Sequence, residues 1–391
     1  MHRILTLVLA TVAVQLGGQA PAGAGERRLP ARTHLEAPTR VEMDLSLGRP
    51  TLSVRIGESG PYTMVLDTGT PITLLDRSLA DELGLENQGQ EELRSPVAGG
   101  TPVPVDRVTL PAVTIGDARF EDVPALTWEQ MRGLPGVRGV LSITVLGELG
   151  ATLDFPAGNL LLHPDGFDAA QQARATSCRS DDQIIEADVV IGDVTVRGHI
   201  DTGSPDGVTL PGALAERLTF ASPPVIVGQA GTIDATFEIR SAPLEGTVSV
   251  AGLEITNPVV TIAGPFPTVN IGTAALMDTR LSIDGRAQLL LLEGTLRSGP
   301  SRSAGRRVVT AGDGPRFGVA LVPDPDGLRV REVMPGSRAE RSGLEAGDLI
   351  AAIDSTAVAD IPRGAMRATL TRAGAMLTVR RGEETLELRV R

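Results

Sequence analysis

The sequence predicts a mainly β chain made of two copies of one β-rich unit, followed by a small α/β domain. Three observations carry this expectation. Gly (45) and Pro (28) are abundant among 391 residues and helix-length apolar periodicity is scarce, which favours short strands and turns. A long stretch of pattern recurs once, in the same order. A third segment carries its own strand–turn–helix–turn–strand signature.

The repeat begins at Ile56 and again at Ile191. Each copy shows a strand ending in Ile-Gly-acid, a tight turn and a second strand. That second strand runs into Asp67-Thr68-Gly69 in one copy and Asp201-Thr202-Gly203 in the other. Leu75–Leu83 and Leu210–Leu218 then place Leu at every fourth position, predicting a short one-faced helix in each copy. Gly-bearing hairpin candidates follow at 96–103 and 226–233, then strand–turn–strand patterns at 113–123 and 248–259. The copies close on apolar hairpins at 152–162 and 281–292, whose Asp154 and Asp284 read as turn formers. Residues 43–163 and 184–293 are therefore expected to be two lobes, joined by a linker at 164–183 and related as a pseudo-symmetric pair.

Outside the lobes, Met1-His2-Arg3 precedes the apolar run Ile4–Leu16, and Ala22-Gly23-Ala24 offers a small-residue cleavage pattern. That is signal-peptide architecture over 1–24, with 25–42 as a loose N-terminal linker, so export to the periplasm or beyond is expected. No later run reaches membrane-spanning length. Residues 294–314 are rich in Gly, Ser and Arg and read as a flexible linker. In 315–391, a short helix is expected near Ser337–Glu340 with Gly343 at its C-terminal cap, then a turn at Gly347-Asp348 into the strand Leu349–Ile353.

Composition excludes several function classes. A net charge of −12 and 2% aromatic residues leave neither a basic footprint nor stacking platforms for nucleic acid. The single Cys178 rules out an internal disulfide, and its polar surroundings read as a linker. No metal-binding signature and no cofactor motif occur, and the Gly-x-Ser-x-Gly elbow of a serine hydrolase is missing. His199, two residues before Asp201, reads as a packing residue of the strand.

The chemistry lies in the two triplets. An Asp on a tight turn after a buried strand is held rigidly, and the following Gly lets backbone approach its carboxylate. Two such turns facing each other would bring Asp67 and Asp201 together. Like charges that close share one proton. The ionised member can take a proton from water while the protonated one polarises a carbonyl, and any titration belongs to the pair.

With these residues in hand, both copies resemble the lobes of retropepsin-like aspartic peptidases, and the whole resembles the bacterial aspartyl proteases that carry a C-terminal PDZ domain. The resemblance implies an aspartic endopeptidase acting on protein or peptide substrates, with Asp67 and Asp201 as its catalytic pair. It implies that Thr68 and Thr202 interlock the lobes, and that Thr70 and Ser204 donate to the outer carboxylate oxygens. It makes the hairpins around Gly99-Gly100 and Gly228–Gly231 flaps over the substrate. With both triplets in one chain, a monomer suffices for the site. In the tail, Phe317-Gly318-Val319 would form the loop and edge strand that take a peptide C-terminus.

Two departures accompany the resemblance. The supporting apolar-apolar-Gly motif reads Asn270-Ile271-Gly272 in the second copy and Val140-Leu141-Ser142 in the first, and neither flap carries a Tyr. These departures support the alternative of a non-catalytic protein that keeps the lobes as a scaffold and binds peptides through the PDZ domain.

Overall fold

The computed structural model describes residues 6–10, 15–16, 29–94, 102–128, 134, 136–178, 183–231, 236–264, 266–298, 319–324, 326–333, 338–361, 369–370, 372, 374–382 and 384–390. Gly99, Gly100, Phe317 and Gly318 lie outside these residues, as do most of the 1–24 and 294–314 segments. The chain divides into two compact units, Met1–Val308 and Val309–Arg391.

Strands dominate both units, and each helix given in full among the described residues is only a turn or two long. In the first unit, the strand carrying Asp67 is β1 (Ser59–Asp67), followed by β2 (Thr73–Asp76) and β3 (Val137–Ser142). β3 lies between them, parallel to β1 and antiparallel to β2. Strands Thr51–Ile56, Val103–Ile115 and Ala118–Trp128 complete a ring of pairings that returns to its start. Ring closure encloses the interior side chains of this lobe. Leu52, Val54, Met64, Leu66, Leu110 and Phe120 are all buried there.

The second lobe uses β5 (Val194–Asp201), β6 (Val208–Pro211) and β7 (Val269–Gly272). Here β7 lies parallel to β5 and antiparallel to β6, as β3 does with β1 and β2. Both Asp-bearing strands therefore end inside a sheet, with a partner on each flank of the turn that follows.

The closing hairpins of the copies meet each other. β4 (Gly150–Asp154) pairs antiparallel with β8 (Asp278–Asp284), matching Gly150 with Asp284 and Asp154 with Arg280. One six-stranded sheet thus takes strands from both copies. Asp154 and Asp284 make turns as expected, accepting from the backbone of Ala157 (3.1 Å) and Ala287 (2.8 Å).

Two local expectations change. The Leu-spaced helices are shorter than their patterns, covering Arg77–Glu82 and Gly212–Ala215. Leu75 and Leu210 belong to the preceding strands, because pairing with Gly139 and Ile262 extends those strands further. The reading of Cys178 as a linker residue is also corrected: it is 1% exposed and packs into the main core, where burial raises its thiol to about 11 and makes it inert.

In the second unit, Val319–Asp324, Gly327–Val333, Leu349–Ile353, Met376–Arg381 and Glu384–Arg389 form one sheet over a core of Val330, Ile350, Ile353, Leu377 and Val379. The short helix Arg338–Arg341 ends on Gly343 at φ +88°, as the sequence suggests, and Leu344 N–H closes the cap on Ala339 O at 3.0 Å. Val319 opens the first strand of this sheet. Val390 is buried, donates to Ala375 O and accepts from Gly374 N–H, both at 2.8 Å. No helix among the described residues is long and apolar enough to cross a membrane.

Candidate active site

Asp67 and Asp201 end β1 and β5, 1% and 2% exposed. Their turns interleave. The space beside the Gly69 Cα is filled by Asp201, so a Cβ there would lie 2.7 Å from its Cγ and Oδ1. A Cβ on Gly203 would lie 2.1 Å from Asp67 Oδ2. Each triplet glycine is thus required by the carboxylate of the other triplet.

The threonines lock this approach. Thr68 N–H donates to Thr202 Oγ1 at 3.1 Å, and Thr202 N–H donates to Thr68 Oγ1 at 3.0 Å. Each hydroxyl then donates onward to the other turn's strand, Thr68 to Ile200 O and Thr202 to Leu66 O. All of these groups are buried, so every bond left unmade would cost desolvation.

The two carboxylates have different partners. Asp67 Oδ1 accepts from Gly69 N–H at 2.7 Å, while its Oδ2 is buried without a partner. Asp201 Oδ1 accepts from Ser204 N–H at 3.0 Å and its Oδ2 from Asn270 Nδ2 at 2.6 Å. Burial first, then the charge of Asp201, raise Asp67 well above the usual carboxyl range; the Gly69 N–H and Arg49 oppose this. A proton on Asp67 converts the orphaned Oδ2 from a repulsive acceptor into a donor.

Thr70 and Ser204 do not take their expected roles. Thr70 Oγ1 donates to Ile72 O at 3.2 Å, and Ser204 Oγ accepts from Asp206 N–H at 3.4 Å. The turns are so tight that the backbone amides reach the carboxylates first, leaving the hydroxyls to secure the strands that follow. Gly228 and Gly231 lie in strand Val225–Gly231, which pairs with Thr236–Pro243 as the arms of a hairpin. His199 pairs with Glu186, with Nε2 3.3 Å from Oε1, consistent with a packing role.

Ser142 stands in register with Asp67, and Gly272 with Asp201. Ser142 Oγ donates to Thr70 O at 2.6 Å and accepts from Thr144 N–H at 3.1 Å. The serine therefore ties the turn after Asp67 to the 3-10 turn Ile143–Leu146. At Gly272 no side chain fits, since a Cβ would lie 2.4 Å from Asp206 O.

Two charged residues complete the site without any signal in the motif. Arg49, buried just before strand Thr51–Ile56, donates from Nε to Gly203 O. Burial lowers its affinity for the proton, and Asp201, Asp67 and Asp206 all oppose that effect. Asp206 is buried as well, and desolvation lifts its carboxyl to about 6, with Arg49 pulling it down and Asp201 pushing it up. Asp206 follows the second triplet closely enough to attract notice; Arg49 sits 154 positions from its partner and does not. Among the described residues no cluster of His, Cys, Asp and Glu could hold a metal ion.

Residues 52–148 match the family model described as aspartyl protease, and residues 308–380 match that of the PDZ domain. A candidate serine protease of Synechocystis sp., named HhoA, is 38% identical over 73 residues, which is 18% of this chain and 18% of that protein. The chain spans less than a fifth of the length of this curated relative. Two solved structures also align. A crystal structure of aspartic proteinase from Irpex lacteus covers 66% of this chain and 98% of its own, at 12% identity and a TM-score of 0.43. The HtrA3 PDZ domain bound to the phage-derived ligand FGRWV covers 19% of this chain and 80% of its own, at 26% identity and a TM-score of 0.17.

Proposed function

We propose that the chain is an exported aspartic endopeptidase in which Asp67 and Asp201 share one proton and hydrolyse peptide bonds in protein substrates. The observation that carries this reading is the interleaving of the triplets, with Gly203 against the Asp67 carboxylate and Gly69 against that of Asp201. Two buried carboxyl groups that close hold one proton between them. The ionised member takes a proton from water as the water oxygen bonds to the scissile carbonyl carbon. The protonated member donates to the carbonyl oxygen. The C–N bond then breaks as the amine receives a proton from the dyad. The two lobes act as a pseudo-two-fold pair, each supplying one Asp turn backed by a parallel strand.

We read the PDZ domain as a module for peptide C-termini, recruiting substrate or partner. The leader-like segment supports export, and one chain suffices for the site. A serine mechanism has little support, since the elbow motif is missing and His199 pairs with Glu186. The inert-scaffold alternative rests on Ser142 and the Tyr-less flaps; the Ser142 hydroxyl holds the turn after Asp67.

The test is hydrolysis of a denatured protein mixture by the purified full chain across pH. Wild type cuts, and Asp67→Asn or Asp201→Asn abolishes cutting while the chain stays folded. An inert wild type at every pH, or full activity in either variant, would overturn the reading.

A further inference from the structure

We propose that Asn270 is a positioning residue that keeps the negative charge of the dyad on Asp201 and so leaves the shared proton on Asp67, an inference that rests on the aspartic-peptidase reading above. Besides the Ser142/Gly272 difference, the two halves of the site differ at a register position that bears on the carboxylates. β3 places Val140 beside Val65, and β7 places Asn270 beside His199, each two residues before the position opposite the Asp. Val140 has nothing to donate. Asn270 donates from Nδ2 to Asp201 Oδ2 at 2.6 Å.

An ionised carboxylate only accepts, so the amide must present its NH2 to Asp201. That orientation leaves Asn270 Oδ1 buried without a partner. A buried, orphaned amide oxygen is a standing cost, which a residue chosen for packing would avoid. Its return is a charge-assisted bond that exists only while Asp201 is the acceptor.

The other carboxylate is arranged the opposite way. Asp67 has a single N–H donor, from Gly69, and its Oδ2 accepts from no N–H group. Burial and the charge of Asp201 already favour a proton there. The charged groups facing the pair are Arg49 and Asp206; Arg49 acts on both carboxylates, and Asp206 repels Asp201. His199, beside Asn270 on β5, has its charge partner in Glu186. Asn270 gives Asp201 a side-chain hydrogen bond that Val140, at the matching position, cannot give Asp67.

The roles follow. Asp201 is the base that takes the proton of water, and Asp67 is the acid that polarises the carbonyl. The experiment is a site-resolved titration of the full chain carrying 13C-carboxyl aspartate, with the two signals assigned through Asp67→Asn and Asp201→Asn. In wild type the Asp201 signal ionises first. In Asn270→Val, which copies the first lobe, ionisation of Asp201 moves up by about one to two pH units, and the preference for Asp201 is lost. A wild type in which Asp67 ionises first overturns the proposal without any variant, as does a folded Asn270→Val with the order unchanged. Because the titration does not depend on turnover, its failure is distinct from that of the hydrolysis assay.

Discussion

Thr68 and Thr202 exchange backbone-to-hydroxyl hydrogen bonds at 3.1 and 3.0 Å, and each hydroxyl donates to the strand that carries the other Asp. The clasp is what brings two mutually repelling carboxylates together in the core. In Thr68→Val the amide of Thr202 and the carbonyl of Ile200 lose their partners. A loss of about 1–3 kcal/mol is expected from each single Val variant. The pair should be non-additive in a double-mutant cycle, because both bonds depend on the same docking. Denaturant unfolding followed by the single Trp128, in the first lobe, measures this.

Gly203 is the sharper probe of the site, since its missing Cβ is where Asp67 Oδ2 sits, 2.1 Å away. Gly203→Ala is expected to push the turns apart and cut hydrolysis by at least about 100-fold, the scale of a misplacement near 1 Å. Gly192→Ala is the control. It sits at φ +60° with nothing within 4 Å, so it should cost about 1 kcal/mol of stability and leave turnover intact. Turnover and unfolding measured on both variants separate the two effects.

Ser142 shows where a departure from a motif has a physical substitute. Its Oγ bonds Thr70 O at 2.6 Å and caps the turn at Thr144, tying both to the strand behind Asp67. Ser142→Ala should cost about 1–2 kcal/mol, the scale of a lost cap, and lower turnover through a looser Asp67 turn. Ser142→Gly, although it restores the family residue, should do no better, because it also lacks the hydroxyl and adds backbone freedom. Thermal unfolding and turnover of the two variants check this.

The duplicated triplets, their preceding strands and the closing hairpins were legible because each is a local pattern repeated in order. The strand–helix boundaries at Leu75 and Leu210 were not, since pairing to distant Gly139 and Ile262 decides them. Thr70 and Ser204 were read with the right location and the wrong partners, because a hydroxyl's choice among nearby acceptors is settled by turn geometry. Asn270 was visible as an anomaly, but its meaning needs the parallel register with β5. Arg49 carried no signal: a lone Arg before a strand becomes part of the site only when the second copy folds over it.

Arg49 and Asp206 make the stability of the fold depend on pH with a definite sign. Desolvation raises Asp206 from 3.8 to about 6, so the folded chain keeps a proton that the unfolded chain has already released. Its contribution is fully present below about pH 4 and is lost as pH rises through about 6. From 3.8 to about 6, at about 1.4 kcal/mol per pH unit, the loss is about 3 kcal/mol. Asp67, whose carboxyl burial also raises, acts in the same direction. Asp206→Asn should flatten the slope between pH 4 and 6, matching wild type at pH 4 and exceeding it by up to about 3 kcal/mol at pH 7. Arg49→Met should do the reverse. It removes the cation that lowers Asp67 and Asp206, so near neutral pH it should cost about 3–5 kcal/mol, the scale of breaking a buried charge arrangement. Near pH 4, where both acids are protonated, the cost should shrink. Urea unfolding of the three proteins at pH 4 and 7 tests both signs, and an Arg49→Met penalty equal at the two pH values would show that its packing matters and its charge does not.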